Sequence, residues 1–132
     1  MASKTAVTGS ATPEPLGAFS WAIKVDGAKQ LLFVSGLTSR APDGSVVGEG
    51  DITLQTETVL TSLSAILESA GGTLGDIVKV TVFIRDMTHF RQIHEVRRRF
   101  FSAPFPASTM VEVNRLFDPR SLIEIDAIAV IG

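Results

Sequence analysis

Two segments with the period of an α-helix, each set between runs with the period of a β-strand, constrain this chain more than any other feature. From Asp51, a capping residue, the apolar side chains Ile52, Val59, Leu63, Ile66 and Ala70 recur at helical spacing until Gly71-Gly72 ends the segment. A second helix is expected from near Thr88, with Phe90, Ile93, Val96 and Phe100 along one stripe, ending before Pro104. Between them, residues 77–84 place Val78, Val80, Val82 and Ile84 on one face of a strand. Upstream, residues 19–25 and 31–35 read as a hairpin about Asp26-Gly27, and Pro42-Asp43-Gly44 as a turn before a short strand at 45–47. Downstream, residues 105–116 and 122–130 supply the last two strands.

A strand–helix–strand connection between parallel neighbours is right-handed almost without exception, so both helices are expected on the same face of one mixed sheet. The other face is then left uncovered. With Phe33, Phe83, Met110, Ile128 and Val130 on its strands, such a sheet is too apolar to stand in water, and association of copies is the expectation. At 132 residues there is room for one core; residues 1–15 read as an irregular N-terminal arm and 16–132 as a single α+β domain. No apolar run approaches the ~20 residues of a membrane-spanning helix. Nor does the start of the chain carry the apolar centre of a secretory signal, so the cytoplasm is the default location and no membrane is expected as a partner. The chain has no cysteine, and His89 and His94 with scattered carboxylates lack the spacing of a metal site, so no metal is expected. A net charge of -2 offers no field for a phosphate backbone, and nucleic acid is not an expected partner.

Four markers together carry a family likeness. They are Leu16-Gly17-Ala18-Phe19, Phe33-Val34-Ser35-Gly36, the run Gly75-Asp76-Ile77-Val78-Lys79-Val80-Thr81-Val82, and Phe105-Pro106-Ala107-Ser108 followed by Ile123-Glu124-Ile125. In this combination the chain resembles the Rid proteins, the YjgF-type reactive-intermediate deaminases, from about Leu16 to Val130. The resemblance implies a chorismate-mutase-like α+β fold, a homotrimer around a central barrel, and clefts between neighbouring subunits. It also implies hydrolysis of small imines or enamines there, with no cofactor. Ser35 and Gly36 match the family's strand-end pair and Glu124 its cleft glutamate. Phe19 stands in place of a tyrosine, His94 of an asparagine, Ser108 of a carboxylate-binding arginine, and Met110 of a frequent cysteine.

Ser108 weighs most. Strand alternation groups it with Met110, Glu112 and Asn114 and turns Arg115 to the opposite face, so Arg115 is no substitute for the missing guanidinium. Losing a charged hydrogen bond removes about 1.5–3 kcal/mol, roughly tenfold to a hundredfold in affinity for a carboxylate. A pocket less anionic in preference is therefore expected, with weak 2-iminopropionate deaminase activity. In it Glu124 orients water or relays a proton with His94 as a second candidate, while Phe19, Ser35, the Gly36 amide, Ser108 and Met110 contact a small-molecule substrate. The run Arg97-Arg98-Arg99 reads as a solvated helix face in preference to a phosphate-binding strip, because successive helix residues point in different directions and the chain is acidic. The alternative reading is a non-catalytic, ligand-binding or regulatory trimer on the same fold.

Overall fold

The Asp51 carboxylate accepts the Leu54 amide at 3.0 Å, satisfying one of the unpaired donors of a helix start, and α1 runs from there over Ile52–Ser69. A computed structural model of the protein describes residues 2–132; Met1, the first residue of the expected arm, lies outside them. The remaining elements are β1 (Ser3–Val7), β2 (Ala22–Asp26), β3 (Gln30–Leu37), β4 (Ile77–Ile84), α2 (Phe90–Phe100), β5 (Ala107–Glu112) and β6 (Ile123–Ile131). The main sheet has the order β3-β6-β4-β5; β6 is antiparallel to both neighbours, and β4 and β5 are parallel. Consequently α1 joins two strands of like direction and α2 joins two adjacent parallel ones.

Both helices pack on one face of this mixed sheet. Leu60, Leu63 and Leu67 of α1 and Ile93 and Val96 of α2 meet Val80, Val82 and Ile84 of β4 and Ile123, Ile125 and Ala127 of β6, all nearly inaccessible to solvent. Burying each of the larger side chains is worth about 1.5–3 kcal/mol against the entropy of ordering the chain. The α+β architecture expected from the order of periods is thus the one observed. No helix of the described residues is long and apolar enough to cross a membrane.

Several local expectations are corrected. β2 does not pair with β3: its hydrogen-bonded partner is β1, which lies inside the stretch expected to be an irregular arm. Residues 45–47 contribute an isolated Arg40–Val46 bridge instead of a strand. In β4 the register shifts between Ile77 and Lys79, and this bulge moves Ile77, not Val78, into the core beside Val80 and Val82. Ile66 of α1 is half-exposed while Leu60 and Leu67 complete the buried stripe. Met110 belongs to the helix side of the sheet, since it lies opposite Val82 in β5. On the other side Leu31 and Phe33 of β3 are 61% and 70% exposed, next to Val130 and Ile128 of β6.

Candidate functional site

Register divides the predicted site residues between the two faces. Ser108 lies opposite Val80 and Met110 opposite Val82, both core residues, so their side chains rise toward α2. Glu124 lies opposite Phe83, one residue out of phase with Ile123 and Ile125, and faces the uncovered side. Two separate clusters of candidate residues result within one chain.

The cluster under α2 surrounds an apolar pocket of about 350 Å³. One wall is the segment 16–21. Ser20 ties this segment to the start of β5, donating its amide to the Pro106 carbonyl at 3.0 Å and its hydroxyl to the Phe105 carbonyl at 2.6 Å. Phe19 and Trp21 meet edge to face with ring centroids 5.2 Å apart, and both line the cavity. The opposite wall comes from α2, where Phe90 and His94, four residues apart, stack at 5.6 Å. Ser108 and Met110 form the floor. Gly17 is required by contact: a Cβ there would sit 2.5 Å from His94 Cε1. Of the expected site residues, Phe19, His94, Ser108 and Met110 lie together around this pocket.

His94 has a defined state. Arg98 donates its Nε–H to His94 Nε2 at 2.9 Å, so that nitrogen is the acceptor and Nδ1 carries the proton in the neutral ring. Burial, followed by the nearby Arg98 and Arg97 charges, lowers its pKa below the usual 6.5.

Arg97 overturns the reading of 97–99 as one solvated face. It is 5% exposed, lines the pocket, and donates from Nη2 to Ser108 Oγ at 2.8 Å. Removal from water lowers its pKa to about 10, which leaves it charged near neutrality. The signal was present in the period: Ile93, Val96, Arg97 and Phe100 stand at i, i+3, i+4 and i+7, so Arg97 occupies the apolar stripe while Arg98 and Arg99 turn outward. Trp21, Leu16 and Phe90 are further lining residues that the sequence did not single out for the site. Arg115 lines a different hollow beside Arg85 and Phe117.

The second cluster lies on the open face. A register shift between Val34 and Leu37 sets Ser35 and Gly36 against a single β6 position, a bulge at the strand end. Gly36 permits the approach of Glu124, because a Cβ would fall 2.7 Å from the Glu124 Cδ. Ser35 and Gly36 are exposed, and Glu124 forms no ion pair among the described residues. Ser35, Gly36 and Glu124 thus cluster with one another and apart from Ser108 and His94. Among the described residues no group of three or more His, Cys, Asp or Glu side chains is arranged to hold a metal ion.

These features define a class: a small α+β protein whose mixed sheet carries an apolar pocket beneath α2 and a glutamate beside a strand-end bulge on its bare face. The sequence profile described as Endoribonuclease L-PSP matches residues 9–131. The chain belongs to this family, the YjgF/Rid proteins. A RutC family protein of Pyrococcus horikoshii is 44% identical over 118 residues, spanning 89% of this chain and 90% of its own length. A 2-iminobutanoate/2-iminopropanoate deaminase of Dermatophagoides farinae is 31% identical across 99% of both chains. Among solved structures, a Rid family protein of unknown function from Yersinia pestis superposes with a TM-score of 0.87 at 25% identity, covering 97% of this chain and 98% of its own. RidA from an Antarctic Psychrobacter species gives a TM-score of 0.72 at 30% identity, over 96% of this chain and 99% of its own.

Proposed function

We propose that this protein hydrolyses a small imine or enamine in a cleft built between copies of itself, in a homotrimer, without a cofactor. Water adds to the C=N carbon of the imine, the C–N bond then breaks, and a carbonyl compound and ammonia leave. Enamines enter the same route after protonation at carbon. Glu124 serves as the group that orients the water and carries its proton toward the departing nitrogen, with His94 as a second proton carrier. Phe19, Met110, Ser108, Ser35 and the Gly36 amide hold the substrate.

The observation that carries this reading is the placement of the candidate residues in two clusters, an apolar pocket with hydrogen-bonding groups and an acidic cluster, on opposite faces of a single sheet. A neighbouring copy docked on the bare face supplies the missing half. Exposed Phe33 and Leu31 support such docking, and the likeness to the named deaminase supports the reaction class.

The test incubates the protein with freshly generated 2-imino acids and a panel of neutral enamines, with ammonia release as the readout. Glu124→Ala is expected to lower the rate on the order of a hundredfold, the usual contribution of a positioned acid–base group. Equal rates for parent and variant remove Glu124 from the mechanism. A second reading, a non-catalytic ligand-binding trimer, is favoured by the simultaneous departures at Phe19, His94 and Ser108. Ligand binding with no turnover of any panel member would decide for it.

A further inference from the structure

Arg97 is a buried cation without a counter-charge. Its side chain sits in an apolar wall, makes one side-chain hydrogen bond, to Ser108, and has no carboxylate within ion-pair distance among the described residues. A guanidinium presents a planar fork of N–H donors, and burying it is unfavourable unless those donors and the charge are answered. Helix α2 could have met its packing needs with an apolar residue at this position, between Val96 and Phe100. What it places there instead is a charge beside an open cavity.

We infer that Arg97 and Ser108 form an anion clamp for the carboxylate of a small ligand whose short apolar part lies against Phe19, Trp21 and Phe90. The inference rests on the preceding reading of the same cleft and adds to it the residue of this chain that recognises the carboxylate, Arg97, on a helix and not on the strand. Ser108 is suited to its part. Its oxygen accepts from Arg97 at 2.8 Å, which leaves the hydroxyl proton free to donate to the same anion. Planar paired donation from Arg97 matches a carboxylate edge. His94 does not compete as a positive ligand, because its Nε2 is already occupied by Arg98. On this proposal the guanidinium absent from the strand at position 108 is supplied from the helix above it, and the affinity measurement decides between the clamp and the sequence-based expectation of a weakly anion-binding pocket.

The experiment compares butanoate with butanamide, which share shape and differ in charge. Trp21 is the chain's single tryptophan, there is no tyrosine, and its ring lines the cavity, so intrinsic fluorescence of the full-length protein reports occupancy. Butanoate is expected to bind at least about tenfold more tightly than butanamide, the ratio that a charged hydrogen bond supplies. Arg97→Met should bring that ratio close to one, and Ser108→Ala should reduce it. Equal affinities in the parent, no detectable binding of the acid, or a ratio that survives in Arg97→Met would each overturn the clamp. If Arg97→Met does not fold, the parent comparison and Ser108→Ala still decide: an undiminished ratio in Ser108→Ala counts against it. Because binding is read without turnover, the two proposals fail separately. Acid preference without hydrolysis of any imine keeps the clamp and sinks the reaction, whereas hydrolysis without acid preference does the reverse.

Discussion

His94 shows how a single side chain responds to its walls. Packed between Phe90 and Gly17 and flanked by Arg97 and Arg98, it favours the neutral ring, so its folded pKa lies below its unfolded one. For a depressed histidine the unfolded chain takes up the proton first as pH falls. The contribution is therefore complete above the unfolded pKa of 6.5 and is lost as pH drops toward the lower folded value. Protonation at Nε2 also breaks the hydrogen bond from Arg98. We expect the urea midpoint of the parent to fall more steeply than that of His94→Asn between about pH 7 and pH 5. Superimposable pH slopes would show that the ring titrates freely. At this same scale the family resemblance pointed to Phe19, His94, Ser108 and Met110, and strand alternation put Ser108 and Met110 on one face. Arg97 was passed over for a physical reason. The splay of three consecutive arginines around a helix argues against one binding strip but does not say which of them is turned inward; only the 93-96-97-100 stripe does.

Among the elements, the junction of α1 with the start of β6 rests on one buried amide. Gln55 is inaccessible to solvent and uses both ends of its side chain. Nε2 donates to the Gly48 carbonyl at 3.1 Å and to the Arg120 carbonyl at 2.9 Å, while Oε1 accepts the Leu122 amide at 2.8 Å. Leu122 stands two residues before Glu124, so this amide helps to set where the glutamate emerges on the sheet. Gln55→Leu preserves bulk but strands three polar groups, and it should cost roughly 3 kcal/mol, each orphaned group contributing on the order of 1 kcal/mol. A urea denaturation difference below about 1 kcal/mol would mean that water replaces the amide without penalty. The helices and the strands β4, β5 and β6 were legible in the sequence because each has a strong period and a clear stop. The partner of β2 was not. The turn at Asp26-Gly27 suggests a local hairpin, but pairing depends on which edge lies nearest after collapse, and β1 is built from Ser, Lys, Thr, Ala and Val with no alternation to betray it. The β4 bulge escaped notice likewise, since one extra residue changes phase without changing composition.

For the molecule as a whole, the decisive geometry is that Ser108 and Arg97 lie on the helix side of the sheet while Glu124 lies on its bare side. No side-chain movement carries a group through a hydrogen-bonded sheet, so within one chain these residues never share a substrate. If they act together, each working cleft joins the pocket of one copy to the glutamate of the next. Mixing defective copies tests this directly. A Glu124→Ala chain retains its pocket, and an Arg97→Met chain retains its glutamate, so each variant alone has a defect in every cleft. When the two are unfolded together in equal amounts and refolded, a cleft is intact wherever the pocket comes from the first and the glutamate from the second. For random assembly of a closed symmetric ring that is about a quarter of all clefts, and ammonia release from a 2-imino acid should recover to about a quarter of the parental rate. Separately refolded variants mixed afterwards should show no recovery until subunits exchange. A co-refolded mixture that never exceeds the mean of the two variants would place catalysis within a single chain, and the glutamate face would then need another purpose.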